Sequence, residues 1–395
     1  MSVAAHEVII AGGGPVGLTL ALALAAEGVH VALQQLKAPI AYTTDTPVDS
    51  RVYALAPDVL ALLDQVGAWT LARGIRACDY RRMEVFEDRA RICFDAEDWG
   101  WPRLGAIVEH GVLVHALQER VAATPGIRVV RGAVLGVRRE PRGMALMTAH
   151  ATLRAPLLVI AEGATSPLRD QLGFLLDMHD YRQAAVGSHL TIERPHGGVA
   201  RQRFIDGQPL ALLPLADGRV SLVWSVPQTA AQRLCELDDT DFLAEVQSAF
   251  GDELGRFLGA GPRVAAPLVR RHARSYLKPA IALIGDAAHT IHPLAGQGLN
   301  LGLRDVLALT ATLTEARRRA APLGDPASLR AYERLRRSEN SLALTGVHAI
   351  GALFAPQHGP LPALRQWGLG LVDRWFPARS GFARLAAGRL RNPWG

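Results

Sequence analysis

A chain of 395 residues with 49% hydrophobic and 20% charged residues carries enough apolar side chain for a large buried core, and it reads as two domains or one domain with insertions. The net charge of +6 is arginine charge, since only Lys37 and Lys278 are lysine; six arginines after residue 360 against Asp373 leave about +1 for the rest, a pattern that does not point to nucleic acid. Three scattered cysteines argue against a disulfide framework or a CxxC metal site, so no metal is expected, and an N-terminus without a positive stretch argues against a secretory signal and suits the cytoplasm.

Residues 8–11 read as a first strand, Gly12-Gly13-Gly14-Pro15-Val16-Gly17 as a tight turn, residues 18–27 as an Ala/Leu-rich helix and residues 29–33 as a second strand. The uncharged run 8–26 has the length of a membrane span, but the glycines and Pro15 inside it make strand, turn and helix the better reading. Gly12-x-Gly14-x-x-Gly17 within such a βαβ unit has the spacing of a dinucleotide fingerprint, with a helix start that favours pyrophosphate. The second strand should then end in an acid for the ribose hydroxyls. Gln34 and Gln35 stand there instead, and losing the charge weakens that bond by on the order of 1 kcal/mol. Arg51, close before a helical pattern over 57–66, faces either a pyrophosphate or solvent.

Alternation in residues 82–87 predicts antiparallel strands; residues 109–121 read as a helix and 127–130 as a parallel-type strand. Residues 157–161 form a buried strand ending in Glu162-Gly163, followed by Ser166 as a helix N-cap and Pro167 at the first helical position. Between 181 and 265 short alternating segments (184–192, 201–204, 210–215, 220–226) predict an inserted sheet and the floor of a substrate pocket. Helices are expected at 241–250, 304–319, 326–354 and from 361 onward. The chain therefore reads as α/β. A Rossmann-like domain takes 1–76, 99–180 and 266–340; an inserted, mostly antiparallel β-sheet domain takes 77–98 and 181–265; a helical C-terminus takes 341–395.

The run from Gly285 to Asp305 is the most informative. A buried strand at 281–284 is broken by Gly285-Asp286, which sets a carboxylate at the strand's carboxyl end, the edge where open α/β sheets bind ligands. Glycines 296, 298 and 302 are expected to let backbone approach a flat or phosphorylated ligand as a helix begins.

Together, the Gly12–Gly17 fingerprint, Arg51-x-x-Ala54-Leu55, Glu162-Gly163 and Gly285-Asp286-Ala287-Ala288-His289 running to Gly296-Gln297-Gly298-x-Asn300-x-Gly302-x-x-Asp305 resemble the class A flavoprotein monooxygenases. The narrower likeness is to the hydroxylases of ubiquinone biosynthesis, through Gln202-Arg203-Phe204, Leu210 to Leu215, Ser221-Leu222-Val223-Trp224 and Phe382 to Gly388. The resemblance implies FAD, reduction by NAD(P)H, reaction with O2 to a flavin hydroperoxide, and hydroxylation of an aromatic ring of a polyprenylphenol. It also implies roles. Gly12, Gly14 and Gly17, with Pro15 and Val16, would cradle the pyrophosphate, Gln35 would stand at the ribose and Arg51 near the phosphates. Glu162-Gly163 would serve both FAD and NAD(P)H, and Asp286 the ribityl or phosphate region. Gly296, Gln297, Gly298, Leu299 and Asn300 would bring backbone donors to the pyrimidine end of the flavin, with Pro293 near the reacting face.

No catalytic residue is assigned. The candidates are His289, Pro293, Arg203 and Trp224, with Tyr181, His189 and Arg201 as further groups for holding a phenol. Glu162 in place of the family's aspartate moves a carboxylate by about 1.5 Å, which together with Gln35 motivates the alternative of a weakened or non-catalytic scaffold in a quinone-biosynthesis complex. A flavin halogenase, suggested by Trp99-Gly100-Trp101-Pro102, lacks a convincing lysine. The tail, where Trp367, Trp375, Phe376, Phe382 and Trp394 interleave with arginines, suggests peripheral binding to the inner membrane surface or to a protein complex, or a packed helix with arginines outside.

Overall fold

Val8–Ala11, Val31–Gln35, Leu157–Ile160 and Ile281–Leu283 are buried at every position, and they lie side by side as parallel strands. Burial on both faces explains their apolar composition, since an alternating pattern needs a wet face; Gln34 and Gln35, buried at the end of the second strand, are the exceptions. In this computed structural model, which describes residues 6–36, 38–39, 41–87, 90–292, 297–354 and Ser380, they sit in a six-stranded sheet. Its order is Leu277–Lys278, Ile281–Leu283, Leu157–Ile160, Val8–Ala11, Val31–Gln35 and Ile127–Arg131, with only the first strand antiparallel to its neighbour. The helix Pro15–Ala26 is buried from Leu18 through Leu24, so the uncharged run 8–26 is a strand, turn and core helix. Among the described residues, no helix is long and apolar enough to cross a membrane.

A second layer of strands stands beside this sheet. Leu176–Ile192, seventeen residues long, pairs with Val220–Pro227 on one side and Val264–Ala273 on the other, at the centre of a nine-stranded, mostly antiparallel sheet. One face of that sheet carries Val186, Leu210, Leu222 and Trp224 against Ala231 and Leu234 of the helix Gln228–Glu236 and Phe242 and Val246 of the helix Asp239–Phe250. The fold is α/β with an inserted sheet.

The structure departs from the sequence expectation in three places. Ala77–Tyr80 pairs with Gly105–Glu109 in a three-stranded sheet completed by Val52–Leu55, rather than joining the larger sheet as Arg82–Glu87 does. Leu176 to Asp180 and their partners Val269 to Ala273, all expected in the Rossmann-like part, belong to the larger sheet. The helix expected from 304 begins at Gly298, and its glycines, poor helix formers, concealed its first turn. The helix Pro326–Phe354 has the bounds expected. The expected helix from 361 onward, Pro293, Gly296 and the tail aromatics lie outside the described residues.

Candidate functional site

The first strand ends in a turn whose glycines are required by contact. Gly12 has φ of +127°, and a Cβ there would lie 2.3 Å from the carbonyl oxygen of Ala161. A Cβ on Gly17 would lie 2.0 Å from the carbonyl oxygen of Gly12. The turn is therefore folded tightly onto both the neighbouring strand and its own helix. At Gly14 the situation is the opposite: a Cβ would meet nothing within 4 Å, so the backbone faces open space beside the first amides of the helix Pro15–Ala26. Those amides have no acceptor inside the helix, which is the geometry of an anion cradle.

The strand Ile281–Leu283 delivers Gly285 and Asp286 to the same edge. Burial pushes the Asp286 carboxyl up, against the pull of His289 and Arg51. Behind it the fit is close. Cβ atoms on Gly285 and Gly302 would come within 3.1 and 2.8 Å of the Val16 side chain. Gly302 thus serves helix packing: Val16 wedges between the turn and the helix Gly298–Arg318, which brings two helix N-termini to one place. The amides of Gly298, Leu299 and Asn300 form that second free helix start. The Asn300 side chain is fully buried and receives the Ala56 amide at 3.0 Å while donating to the Ala54 carbonyl at 2.9 Å, a tie that no spacing in the sequence announced.

The residues that depart from the family pattern have local explanations. Gln35 is 3% exposed and lies against the glycine turn, where a Cβ on Gly13 would come 2.7 Å from its Cγ. The longer Glu162 reaches the next helix: its Oε2 accepts from Ser166 Oγ at 2.6 Å and from the Leu168 amide at 3.1 Å, while Ser166 caps Pro167–Gln171 through Arg169. Gly163 next to it has φ of +89°. Arg51 is exposed, with its guanidinium 5.3 Å from the Tyr53 ring centre. It precedes the strand Val52–Leu55, and the helix expected from 57 starts at Pro57.

Comparison with known proteins assigns this architecture. A family described as FAD binding domain matches residues 5–344. The chain belongs to that FAD-binding family. The 3-demethoxyubiquinol 3-hydroxylase of Escherichia coli is 35% identical over 373 residues, covering 93% of this chain and 95% of that protein. The ubiquinone hydroxylase UbiL of Rhodospirillum rubrum is 36% identical over 389 residues, with coverage of 98% and 90%. Among solved structures, p-nitrophenol 4-monooxygenase PnpA from Pseudomonas putida shares the fold with a TM-score of 0.78 at 17% identity, covering 98% of this chain and 99% of that one.

The chain is thus an FAD-dependent hydroxylase of this family, and its residues fit the cofactor. The open cradle at Gly14 suits a pyrophosphate, and the half-buried carboxyl of Asp286 suits the sugar chain. The free amides at Gly298 to Asn300 suit the ring end, where negative charge gathers on reduction.

Among the described residues, the catalytic candidates His289, Arg203 and Trp224 do not gather there. His289 is buried and its Nε2 donates to the Asp305 carboxylate at 2.5 Å, inside the protein. Arg203 pairs with Glu253 and lies over Phe86 and Phe250, and Trp224 is in the helix-covered core, so both stand on the face of the large sheet turned to its own helices. Arg201 shares that side through Glu84. The opposite face approaches the FAD-binding part, since a Cβ on Gly187 would lie 3.5 Å from the Ser50 carbonyl. It carries Gln202, Phe204 and Val223, and Phe204 stacks on Phe354 with centroids 3.9 Å apart. His189, on the same face, is buried; burial lowers its pKa, and its Nδ1 has no hydrogen-bond partner. At the register shift within Leu176–Ile192, Tyr181 stands edge-on to His292 at 5.0 Å, and its hydroxyl is 3.5 Å from His348 Nδ1.

Proposed function

We propose that this chain hydroxylates an aromatic ring of a polyprenylated phenol on the route to ubiquinone, with FAD as cofactor and NAD(P)H and O2 as co-substrates. The observation that carries the reading is near end-to-end similarity to two ubiquinone hydroxylases, supported by the open backbone at Gly14 beside a helix start. Bound FAD supplies the oxygen-activating redox chemistry. The chain supplies binding, orientation and exclusion of water. Gly12, Gly14 and Gly17 with Pro15 and Val16 hold the pyrophosphate, Gln35 flanks the adenosine ribose and Arg51 the phosphates. Glu162 and Gly163 shape the middle of the site, while Gln297, Gly298, Leu299 and Asn300 present amides to the ring. The sheet face carrying Gln202, Phe204 and Val223 forms the pocket floor, and Tyr181 and His292 are the titratable groups placed to handle the phenolic proton.

The purified protein should be yellow, and a polyprenylphenol should stimulate NAD(P)H oxidation under air with formation of hydroxylated product. NAD(P)H oxidation that no phenol stimulates would remove this reading and favour a scaffold in a quinone-biosynthesis complex. The local packing of Gln35 and Glu162 weighs against the scaffold, because both departures are absorbed without closing the cradle. Arginines interleaved with aromatics beyond residue 360 support a peripheral position on an anionic membrane surface or in such a complex. Salt-sensitive sedimentation with anionic vesicles, and none with neutral ones, is the result that fits the membrane.

A further inference from the structure

One buried polar cluster takes no part in the function described above. Asp305, on the second turn of the helix Gly298–Arg318, has no solvent exposure and four donors or partners around it. Its Oδ2 accepts from the Gly285 amide at 2.9 Å and meets His289 Nε2 at 2.5 Å; its Oδ1 accepts from Arg336 Nε at 2.8 Å and from Asn340 Nδ2 at 3.2 Å. Burial pushes this carboxyl up, but the charges of His289 and Arg336 and their hydrogen bonds outweigh it and hold the group well below the usual carboxylate range. A buried carboxylate so fully surrounded is fixed in place, since losing any one partner leaves charge uncompensated.

The partners come from one stripe. Tyr332, Arg336 and Asn340 are four residues apart on the helix Pro326–Phe354, so they lie on one face. Tyr332 Oη donates to the Leu283 carbonyl at 2.7 Å, at the end of the strand that carries Asp286. Arg336 reaches Asp305 and, at 3.4 Å, the Leu301 carbonyl, while donating to Asn340 Oδ1 at 2.8 Å. Asn340 Nδ2 also meets Tyr276 Oη at 3.2 Å, and Tyr276 in turn lies 2.9 Å from His272. All three residues are 2% exposed or less. One helix face therefore grips the strand and the following helix directly, and reaches the turn through Asp305, which accepts from the Gly285 amide.

We infer that Tyr332, Arg336 and Asn340 are positioning residues for the bound flavin. Acting through Leu283, Asp305, Gly285 and His289, they set the distance between the Asp286 turn and the amides of the helix start at Gly298. The helix Pro326–Phe354 is thereby part of the cofactor site, although it stands behind the turn. This rests on the assignment of FAD to the chain.

The test uses the full-length protein stripped of FAD and titrated with it by flavin fluorescence, with thermal midpoints measured on the same samples. Tyr332→Phe deletes one hydroxyl and Asn340→Ala one hub partner; each is expected to weaken FAD affinity by about 10-fold and to shift the visible flavin band, as loss of outer-shell support does at other sites. Leu234→Ala, in the helix-covered core of the other sheet, lowers the midpoint but should leave FAD affinity within about two-fold, which separates positioning from general loss of stability. If Tyr332→Phe and Asn340→Ala bind FAD as tightly as the parent while losing thermal stability, the cluster is only structural and the inference falls. Failure of the parent itself to bind FAD would instead remove the cofactor assignment on which the inference rests.

Discussion

Asn300 shows how a side chain can matter to a cofactor site without facing it. Its amide joins the segment before the helix Pro57–Gln65 to the first turn of the helix Gly298–Arg318, with both ends buried. In Asn300→Ala the Ala56 amide and Ala54 carbonyl lose their partner, which should cost about 2–3 kcal/mol in urea denaturation of the FAD-free protein. A second residue-scale effect depends on pH. Burial lowers the pKa of His292 from 6.5 to about 4, so the unfolded chain binds more protons than the folded one between those values. Stability is therefore fully present above about pH 6.5 and falls by on the order of 3 kcal/mol as pH drops to about 4. His272, also lowered to about 4 by burial and by the neighbouring His289, acts in the same direction. His292→Gln should flatten part of this decline in denaturation midpoints measured between pH 4 and 7.

At the scale of elements, the site depends on how closely two helices and a turn can approach. Val16 fills the space that the missing side chains of Gly285 and Gly302 leave, and the two helix starts converge as a result. Gly302→Val would place a branched side chain where even a Cβ comes within 2.8 Å of Val16. FAD affinity should fall by at least about 10-fold, readable by flavin fluorescence, because the overpacked helix must move away from the turn. The strand, the turn and their glycines were legible in the sequence, since Gly12, Gly14 and Gly17 follow a buried apolar run at the spacing a βαβ unit requires. The purpose of Gly302 was not, because a glycine for packing and a glycine for a ligand look alike in one dimension. Tyr332, Arg336 and Asn340 did leave a signal, three polar residues at intervals of four on one helix face, but its meaning needed the partners Leu283 and Asp305.

For the molecule as a whole, the decisive arrangement is that the large sheet has a face for its own helices and a face for the flavin part. The strand Val199–Ile205 alternates across it, sending Arg201 and Arg203 toward Glu84, Glu253 and Phe250, and Gln202 and Phe204 toward Phe354 and the rest of the chain. A single-residue step separates the two sides, and sequence alternation alone could not say which was which, so Arg203 and Trp224 were candidates beside residues that fit the role better. The difference is measurable. Trp224→Phe should lower the unfolding free energy by about 1–2 kcal/mol and leave the KM for a polyprenylphenol near the parent value. Phe204→Ala removes the ring stacked on Phe354, so it should raise that KM by about 10-fold or more while FAD affinity stays unchanged. If instead Trp224→Phe moved KM and Phe204→Ala did not, the substrate would lie on the helix-covered side. The cavity between Gln228–Glu236 and Val264–Ala273, lined by Gln232, Cys235 and Arg263, would then become the place to look.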